Sequence, residues 1–180
     1  MLWRWWATPD LYGYGHIIGD SGEWAAWLLM ATLAVTPLRL AFRRNAFVQY
    51  LMRKRRDLGV ASFAYAAGHT IIYLWRKADP AIIWDEASTP YVLAGWVALA
   101  LFLPLAITSN DVSMRALKRR WKSLHRLVYP AAVLVFVHWA LSAFDPTTAY
   151  IHIGILAAIE IVRVWLQWRQ KRAASVSVKA

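Results

Sequence analysis

Residues 87–110 read ASTPYVLAGWVALALFLPLAITSN, a stretch without a charged side chain. A helix rises about 1.5 Å per residue, so about 20 such residues cross the roughly 30 Å of hydrocarbon in a bilayer. A helix on the surface of a soluble protein would carry a polar face, and this stretch has none. The stretch therefore predicts a transmembrane helix and indicates an integral membrane protein.

Four other runs have the same apolar character: 24–38, 58–75, 127–144 and 146–168. Many of the 12 tryptophans stand near the ends of these runs, where indole rings anchor helices at the membrane interface. The last run contains two charged residues, Glu160 and Arg163, which are three apart and are expected to pair on one helix face. The predicted fold class is an all-α membrane protein, a bundle of five transmembrane helices.

The charges are distributed unequally between the two sides of the predicted bundle. Most basic residues fall in two expected loops, 39–56 and 111–126, and in the C-terminal tail. Because cytoplasmic loops are enriched in Lys and Arg, we predict that the N-terminus lies outside and the C-terminus inside. The net charge of +11 then reflects topology, with anionic lipids rather than nucleic acid as the counter-charge.

The expected organisation has three parts. Residues 1–20 form an interfacial N-terminal segment, residues 21–170 the transmembrane domain, and residues 171–180 a cytoplasmic tail that is disordered from residue 173. The chain has no cysteine, which excludes iron–sulfur clusters, thiolate-ligated haem and covalently attached haem. A redox cofactor must then be held non-covalently, and histidine is the side chain left for that task.

Two of the five histidines lie deep within predicted spans. Measured from Asp57 and Ser123 at about 1.5 Å per residue, His69 lies about 18 Å and His138 about 22 Å into the membrane. Axial ligation of one b-type haem between two helices requires such similar depths. The alternative is a neutral histidine that donates a hydrogen bond to a backbone carbonyl between packed helices. The neighbouring Gly68 is compatible either with a close porphyrin or with ordinary helix packing.

The other three histidines carry weaker signals. His16 and His152 are expected to be interfacial or surface side chains. His125 stands at the inner mouth of the fourth run, and an ideal helix would turn it roughly 140° away from His138. A second haem near the inner surface would use His125. At that level the second span offers Arg55 and Arg56 instead of a partner histidine.

A set of short motifs resembles the ferric-reductase-like transmembrane family. They occur in family order over residues 21–168: LAVTPLR (33–39), RRDLG (55–59), PY (90–91), ITS (107–109) and WKSLHRLVY (121–129). In that family the positions matching His69, His125 and His138 are the haem-associated histidines. A further helix usually precedes the first motif, and residues 1–22 are expected to be too short and polar to supply it.

The resemblance implies a function in electron transfer across the bacterial inner membrane. The chain would be the haem-binding subunit of a periplasmic methionine sulfoxide reductase system, an electron-transfer subunit rather than a complete enzyme. Electrons would come from a cytosolic flavin reductase or from quinol, with FMN or a quinone as a further cofactor. They would pass through haem b, with His69 and His138 as axial ligands, to a periplasmic molybdenum-containing reductase.

Two other functions remain open from the residues alone. One is a self-sufficient membrane reductase that passes electrons to ferric iron or oxygen. The other is a non-redox membrane protein, such as a small transporter or an assembly factor, in which the histidines only support packing. The broken paired helices and repeats that transporters often show are not evident in the sequence.

Overall fold

The computed structural model describes the backbone of residues 13–177 and the side chains of residues 13–172. Helices are the only regular structure within this range: α1 (Tyr14–Ala41), α2 (Ala46–Lys77), α3 (Pro80–Glu86), α4 (Pro90–Ile107), α5 (Asp111–Leu117), α6 (Arg119–Leu124), α7 (Val128–Ser142) and α8 (Thr147–Ser177). A 3-10 turn, His125–Leu127, joins α6 to α7. By length and composition α1, α2, α4, α6–α7 and α8 can each cross a membrane, which confirms the predicted five-span bundle.

The prediction that residues 39–56 form a loop is wrong, because most of these residues are helical. α1 continues to Ala41 and α2 already begins at Ala46, so the connection is short. Asn45 caps α2 by accepting a hydrogen bond from the Val48 N–H at 3.1 Å. The residues that follow are good helix formers, including the basic side chains at 53–56, so the helix extends beyond the apolar run. The other predicted loop, 111–126, is likewise mostly helical.

The C-terminal residues also differ from expectation. Disorder was predicted from residue 173, yet α8 continues to Ser177, so that prediction is wrong for 173–177. Two arginines in the last turns of the described side chains stack on tryptophans of the same helix, with Arg169 4.7 Å from the Trp165 ring centre and Arg172 3.8 Å from that of Trp168. Residues 178–180 and 1–12 lie outside the described range, and the division of the chain into three parts remains a prediction.

The spanning helices pack as two antiparallel pairs. α1 packs mainly against α2, and α4 packs mainly against α7, while α8 lies against α1. A buried apolar cluster joins the two pairs, and it consists of Leu29, Leu33, Phe102, Leu105, Ala131 and Ala132. Large apolar side chains also cover the outside: Ile71 is 64% exposed, Val133 60% and Ile161 68%. Such a surface suits lipid rather than water.

The two ends of the bundle have opposite charge. We call one the acidic end, which carries Asp79, Asp85, Glu86 and Asp145. The other is the basic end, which carries Arg43, Arg44, Arg119 and Arg120. Ion pairs tie helices together at both ends: Lys77 contacts Glu86 at the acidic end, and Arg56 contacts Asp111 at the basic end. The hydrogen bond from Arg56 lowers the pKa of the Asp111 carboxyl.

Candidate functional site

A cavity of about 630 Å³ lies between the two helix pairs. This volume is within the usual range of small-molecule and cofactor sites. Its wall towards the basic end is apolar and includes Leu29, Phe102 and Val135 from the buried cluster and its surroundings. Its wall towards the acidic end is polar: Tyr14, Tyr73, Lys77, Glu86 and Asp145. The cavity is therefore amphipathic along the direction of the helices.

His69 and His138 meet in this cavity. Their ring centroids are 6.0 Å apart and their planes are nearly perpendicular, at 89°. The two residues belong to different helix pairs, α2 and α7, and face one another across the gap between the pairs. The structure thus brings together the two histidines whose predicted depths agree. Their role as ligands stays a prediction.

His69 is held by α1. Its Nδ1 lies 2.9 Å from the backbone oxygen of Ile18, and because a carbonyl only accepts, Nδ1 carries the proton. The ring rests on Gly22, one turn further along α1. A Cβ atom at Gly22 would lie 3.2 Å from Nδ1 of His69, which is tighter than ordinary van der Waals contact. The absence of a side chain at Gly22 lets the imidazole approach the helix backbone.

His138 is held by α4 in the same way. Its Nδ1 donates to the backbone oxygen of Tyr91 at 2.6 Å. Gly95 lies one turn further along α4, and a Cβ atom there would be only 2.9 Å from Nδ1 of His138, a distance that real Cβ atoms do not adopt. Each helix pair therefore repeats one arrangement, in which a histidine on one helix lies on a glycine of its partner and donates to the carbonyl four residues earlier.

These contacts leave the two Nε2 atoms available. Neither has a hydrogen bond within the described part of the chain, and with the proton on Nδ1 each Nε2 presents a lone pair. Hydrogen bonding of the second ring nitrogen is the usual support of a histidine that ligates a metal. The backbone hydrogen bond expected of a structural histidine is thus present, and it does not compete with ligation.

The separation of the rings suits a metal between them. Metal–imidazole bonds are about 2 Å long, so a metal held by both Nε2 atoms sets the ring centroids about 6 Å apart, close to the observed 6.0 Å. In residues 13–172 there is no group of three or more His, Asp or Glu side chains that could hold a bare ion. An iron porphyrin needs at most two ligands from the protein, because the porphyrin nitrogens supply the remaining ones.

Gly68 was expected to accommodate either a porphyrin or a neighbouring helix. A Cβ atom there would meet nothing within 4 Å, and Gly68 is not among the residues that line the cavity. The two glycines on which the histidine rings rest, Gly22 and Gly95, were missed. Gly95 lies in the uncharged run 87–110, whereas Gly22 stands between Asp20 and Glu23, just before the run 24–38. Which helices are neighbours cannot be read from the pattern of residues along one chain.

The structure does not bring His125 to this cavity. Its ring stacks on Trp121, with centroids 3.8 Å apart, and its Nδ1 lies 3.1 Å from the Trp121 backbone oxygen. Its Nε2 lies 3.4 Å from the hydroxyl of Ser109. The rotation predicted from an ideal helix does not apply, because His125 begins the 3-10 turn that precedes α7.

Two histidines, His16 and His152, and the Glu160–Arg163 pair lie outside the cavity. His16 is exposed on the first turn of α1. His152 is half-buried between Trp27 and Trp139, with ring centroids 5.5 and 5.0 Å away, and so is packed rather than free at the surface. The predicted pairing of Glu160 with Arg163 is confirmed by a contact of 2.8 Å.

Comparison with known proteins agrees with this architecture. The family described as "Ferric reductase like transmembrane component" matches residues 21–136, which include His69 and His125 and end just before His138. Three relatives carry the name protein-methionine-sulfoxide reductase heme-binding subunit MsrQ. The protein from Ralstonia nicotianae is 38% identical, over 94% of this chain and 81% of its own length.

The second relative, from Xanthomonas campestris pv. campestris, is 38% identical over 86% of this chain and 71% of its own length. The third, from Rhizobium meliloti, is 37% identical over 93% and 77% respectively. These matches cover most of this chain and most of each relative, and their identity of 37–38% is high enough to show a shared family. The chain therefore belongs to the ferric-reductase-like transmembrane family, among its MsrQ-type members.

Proposed function

We propose that this chain carries electrons across the bacterial inner membrane through a b-type haem held between His69 and His138, as the haem-binding subunit of a methionine sulfoxide reductase system. The observation that carries the proposal is the pair of imidazoles with their centroids 6.0 Å apart, both with Nε2 available, in an amphipathic cavity. The name shared by the relatives supports both the cofactor and the system.

Each part of the cavity has a role in this function. The Nε2 atoms of His69 and His138 would hold the haem iron, and the carbonyls of Ile18 and Tyr91 fix the tautomer and orientation of the two rings. The apolar wall around Phe102 excludes water. A haem bound there would supply a reversible one-electron centre within the hydrocarbon.

His125 is the proposed ligand of a second haem. To bind iron, its Nε2 would have to give up the contact with Ser109. No second histidine ring stacks on it or pairs with it within the described residues. The proposal for this site rests on the family resemblance and on the position of His125 near the basic end.

The partners follow from the family and the charge distribution. We propose that the acceptor is a periplasmic molybdenum-containing reductase that meets the acidic end. The donor is a cytosolic flavin reductase or quinol at the basic end, with FMN or a quinone as a further cofactor. The membership of the relatives in a methionine sulfoxide reductase system supports a partner reductase. The identities of donor and acceptor rest on the resemblance alone.

The spectrum of the purified protein tests the function. Protein produced in haem-replete cells should show a Soret band and, after reduction with dithionite, a b-type α band, because His69 and His138 would both bind the haem iron. After removal of excess dithionite, the haem should be fully reoxidised by a catalytic amount of the partner reductase together with excess methionine sulfoxide, and not by either one added alone. A folded but colourless protein would contradict the proposal.

Orientation can be measured separately, since the chain has no cysteine and any introduced thiol is unique. Ser88 is exposed near the acidic end and Arg44 is exposed at the basic end. We expect a membrane-impermeant maleimide to label the Ser88→Cys variant in spheroplasts and the Arg44→Cys variant only after lysis, because the basic end is the cytoplasmic one. The reverse pattern would invert the proposed direction of electron flow.

A further inference from the structure

The polar end of the cavity contains a single cationic side chain. Among the described residues that line the cavity, Lys77 is the only Lys or Arg, whereas Glu23, Glu86 and Asp145 are all acidic. A ligand that carries negative charge into this end of the cavity can therefore be compensated by one residue of the lining. Lys77 is thus the one cationic side chain of the described lining that an anion could contact.

Lys77 and Tyr73 share the face of α2 that presents His69. The three residues are spaced four apart, so they lie one above another along the helix. Tyr73 lies about 6 Å and Lys77 about 12 Å beyond His69 along the axis. Long side chains on a helix lean towards its N-terminus, which for Lys77 and Tyr73 is the direction of His69. Both polar groups therefore reach back along the cavity wall.

These two residues already bind a carboxylate. Lys77 donates to one oxygen of Glu86, and the Tyr73 hydroxyl donates to the other oxygen at 2.9 Å. The hydrogen bond from Lys77, followed by that from Tyr73, lowers the pKa of Glu86, so this carboxyl is ionised at neutral pH. An ammonium group and a hydroxyl that bracket both oxygens of one carboxylate have the chemistry to hold another.

From this arrangement we infer that Lys77 and Tyr73 form the carboxylate-binding end of the cofactor site, where a haem propionate takes the place of Glu86. This inference rests on the proposed haem function and adds the orientation of the cofactor to it. Haem b carries both propionates on one edge, and its opposite edge is apolar. The cavity has the same polarity, with the apolar wall around Leu29 and Phe102 opposite Lys77.

The rate of haem release tests the inference, because it reports on retention and not on catalysis. Wild type and Lys77→Met are loaded with haem b or with haem b dimethyl ester, which lacks both negative charges, and release to excess apomyoglobin is followed at the Soret band. A charge-assisted hydrogen bond is worth about a factor of ten or more. We expect Lys77→Met to release haem b about tenfold faster than wild type, and both proteins to release the ester at the same rate.

Two further variants separate propionate binding from a structural tie between α2 and α3. Glu86→Gln removes the competing carboxylate, so it should release haem b no faster than wild type. If the Lys77–Glu86 pair served only to fasten α3, Glu86→Gln would instead behave like Lys77→Met, and both would release the ester faster as well. Arg76→Met is the matched control, since Arg76 adjoins Lys77 and lies 5.7 Å from the Tyr14 ring centre without lining the cavity.

The outcomes also distinguish this inference from the proposed function. If the wild-type chain binds haem and Lys77→Met releases haem b at the wild-type rate, the orientation is wrong and the function stands. Faster release of both haems by Lys77→Met would likewise overturn the propionate contact. If the wild-type chain binds no haem, the proposed function and the propionate contact are both wrong.

Discussion

We expect the His69→Ala and His138→Ala variants each to lose the b-type spectrum of the purified protein. Each substitution removes one of the two histidines that would hold the haem iron, and no other described histidine lines the cavity to replace it. The remaining ligand would hold the cofactor from one side only. The measurement is the Soret absorbance per mole of protein after purification in mild detergent, with the pyridine haemochrome assay to count haem.

The other histidines supply the controls for this experiment. His152→Ala removes a half-buried ring that donates to the Thr148 carbonyl at 2.6 Å, and the spectrum should be unchanged because His152 does not line the cavity. His125→Ala should retain at least part of the spectrum, and the fraction lost measures any second haem. Full retention of the spectrum in both His69→Ala and His138→Ala would refute the pairing.

The second large effect is expected from a single added methyl group. In Gly95→Ala the new Cβ would lie 2.9 Å from Nδ1 of His138, so the ring must move and its hydrogen bond to Tyr91 must lengthen. Loss of such support of a ligating histidine typically costs about 10- to 100-fold in affinity. We expect haem release from Gly95→Ala to accelerate by that order, with a shifted midpoint potential in the haem that remains.

Two glycines complete the comparison. Gly22→Ala should have a smaller effect, because its Cβ would lie 3.2 Å from His69 and a slight ring movement relieves the contact. Gly68→Ala is the matched control next to His69, with nothing within 4 Å of the added atom. Alanine favours the helix over glycine by roughly 0.5–1 kcal/mol, so none of these substitutions should unfold the protein. Equal release from Gly95→Ala and Gly68→Ala would show that the close approach is unimportant.

The bundle could be predicted because lipid imposes simple rules on a sequence. A helix must be long enough and apolar enough to cross, and residues 87–110 satisfy both conditions without any knowledge of neighbours. The same rise per residue placed His69 and His138 at nearly equal depth, and the structure brings them together. Depth along the membrane normal is thus readable from one chain.

The rotation of each helix about its axis and the identity of its neighbours cannot be predicted from the rise per residue. Gly22 and Gly95 matter only because α1 faces α2 and α4 faces α7, which is decided by packing of the whole bundle. The ends of helices depend on local caps outside the membrane. Asn45 caps α2, but the basic residues around it favoured a loop in the sequence-based prediction. The same limit applies to His125, whose 3-10 turn breaks the regular geometry on which its predicted direction depended.

The repeated contact of histidine with glycine and carbonyl has a consequence for biogenesis. Each imidazole is oriented entirely within its own hairpin of consecutive spans, His69 by α1 and His138 by α4. Two half-sites can therefore be complete as soon as their hairpins enter the bilayer, before the halves of the protein have met. The iron would then add a second link between the two halves, beside the buried apolar cluster that already joins them, and a cell short of haem would be left with two preorganised hairpins held together by packing alone.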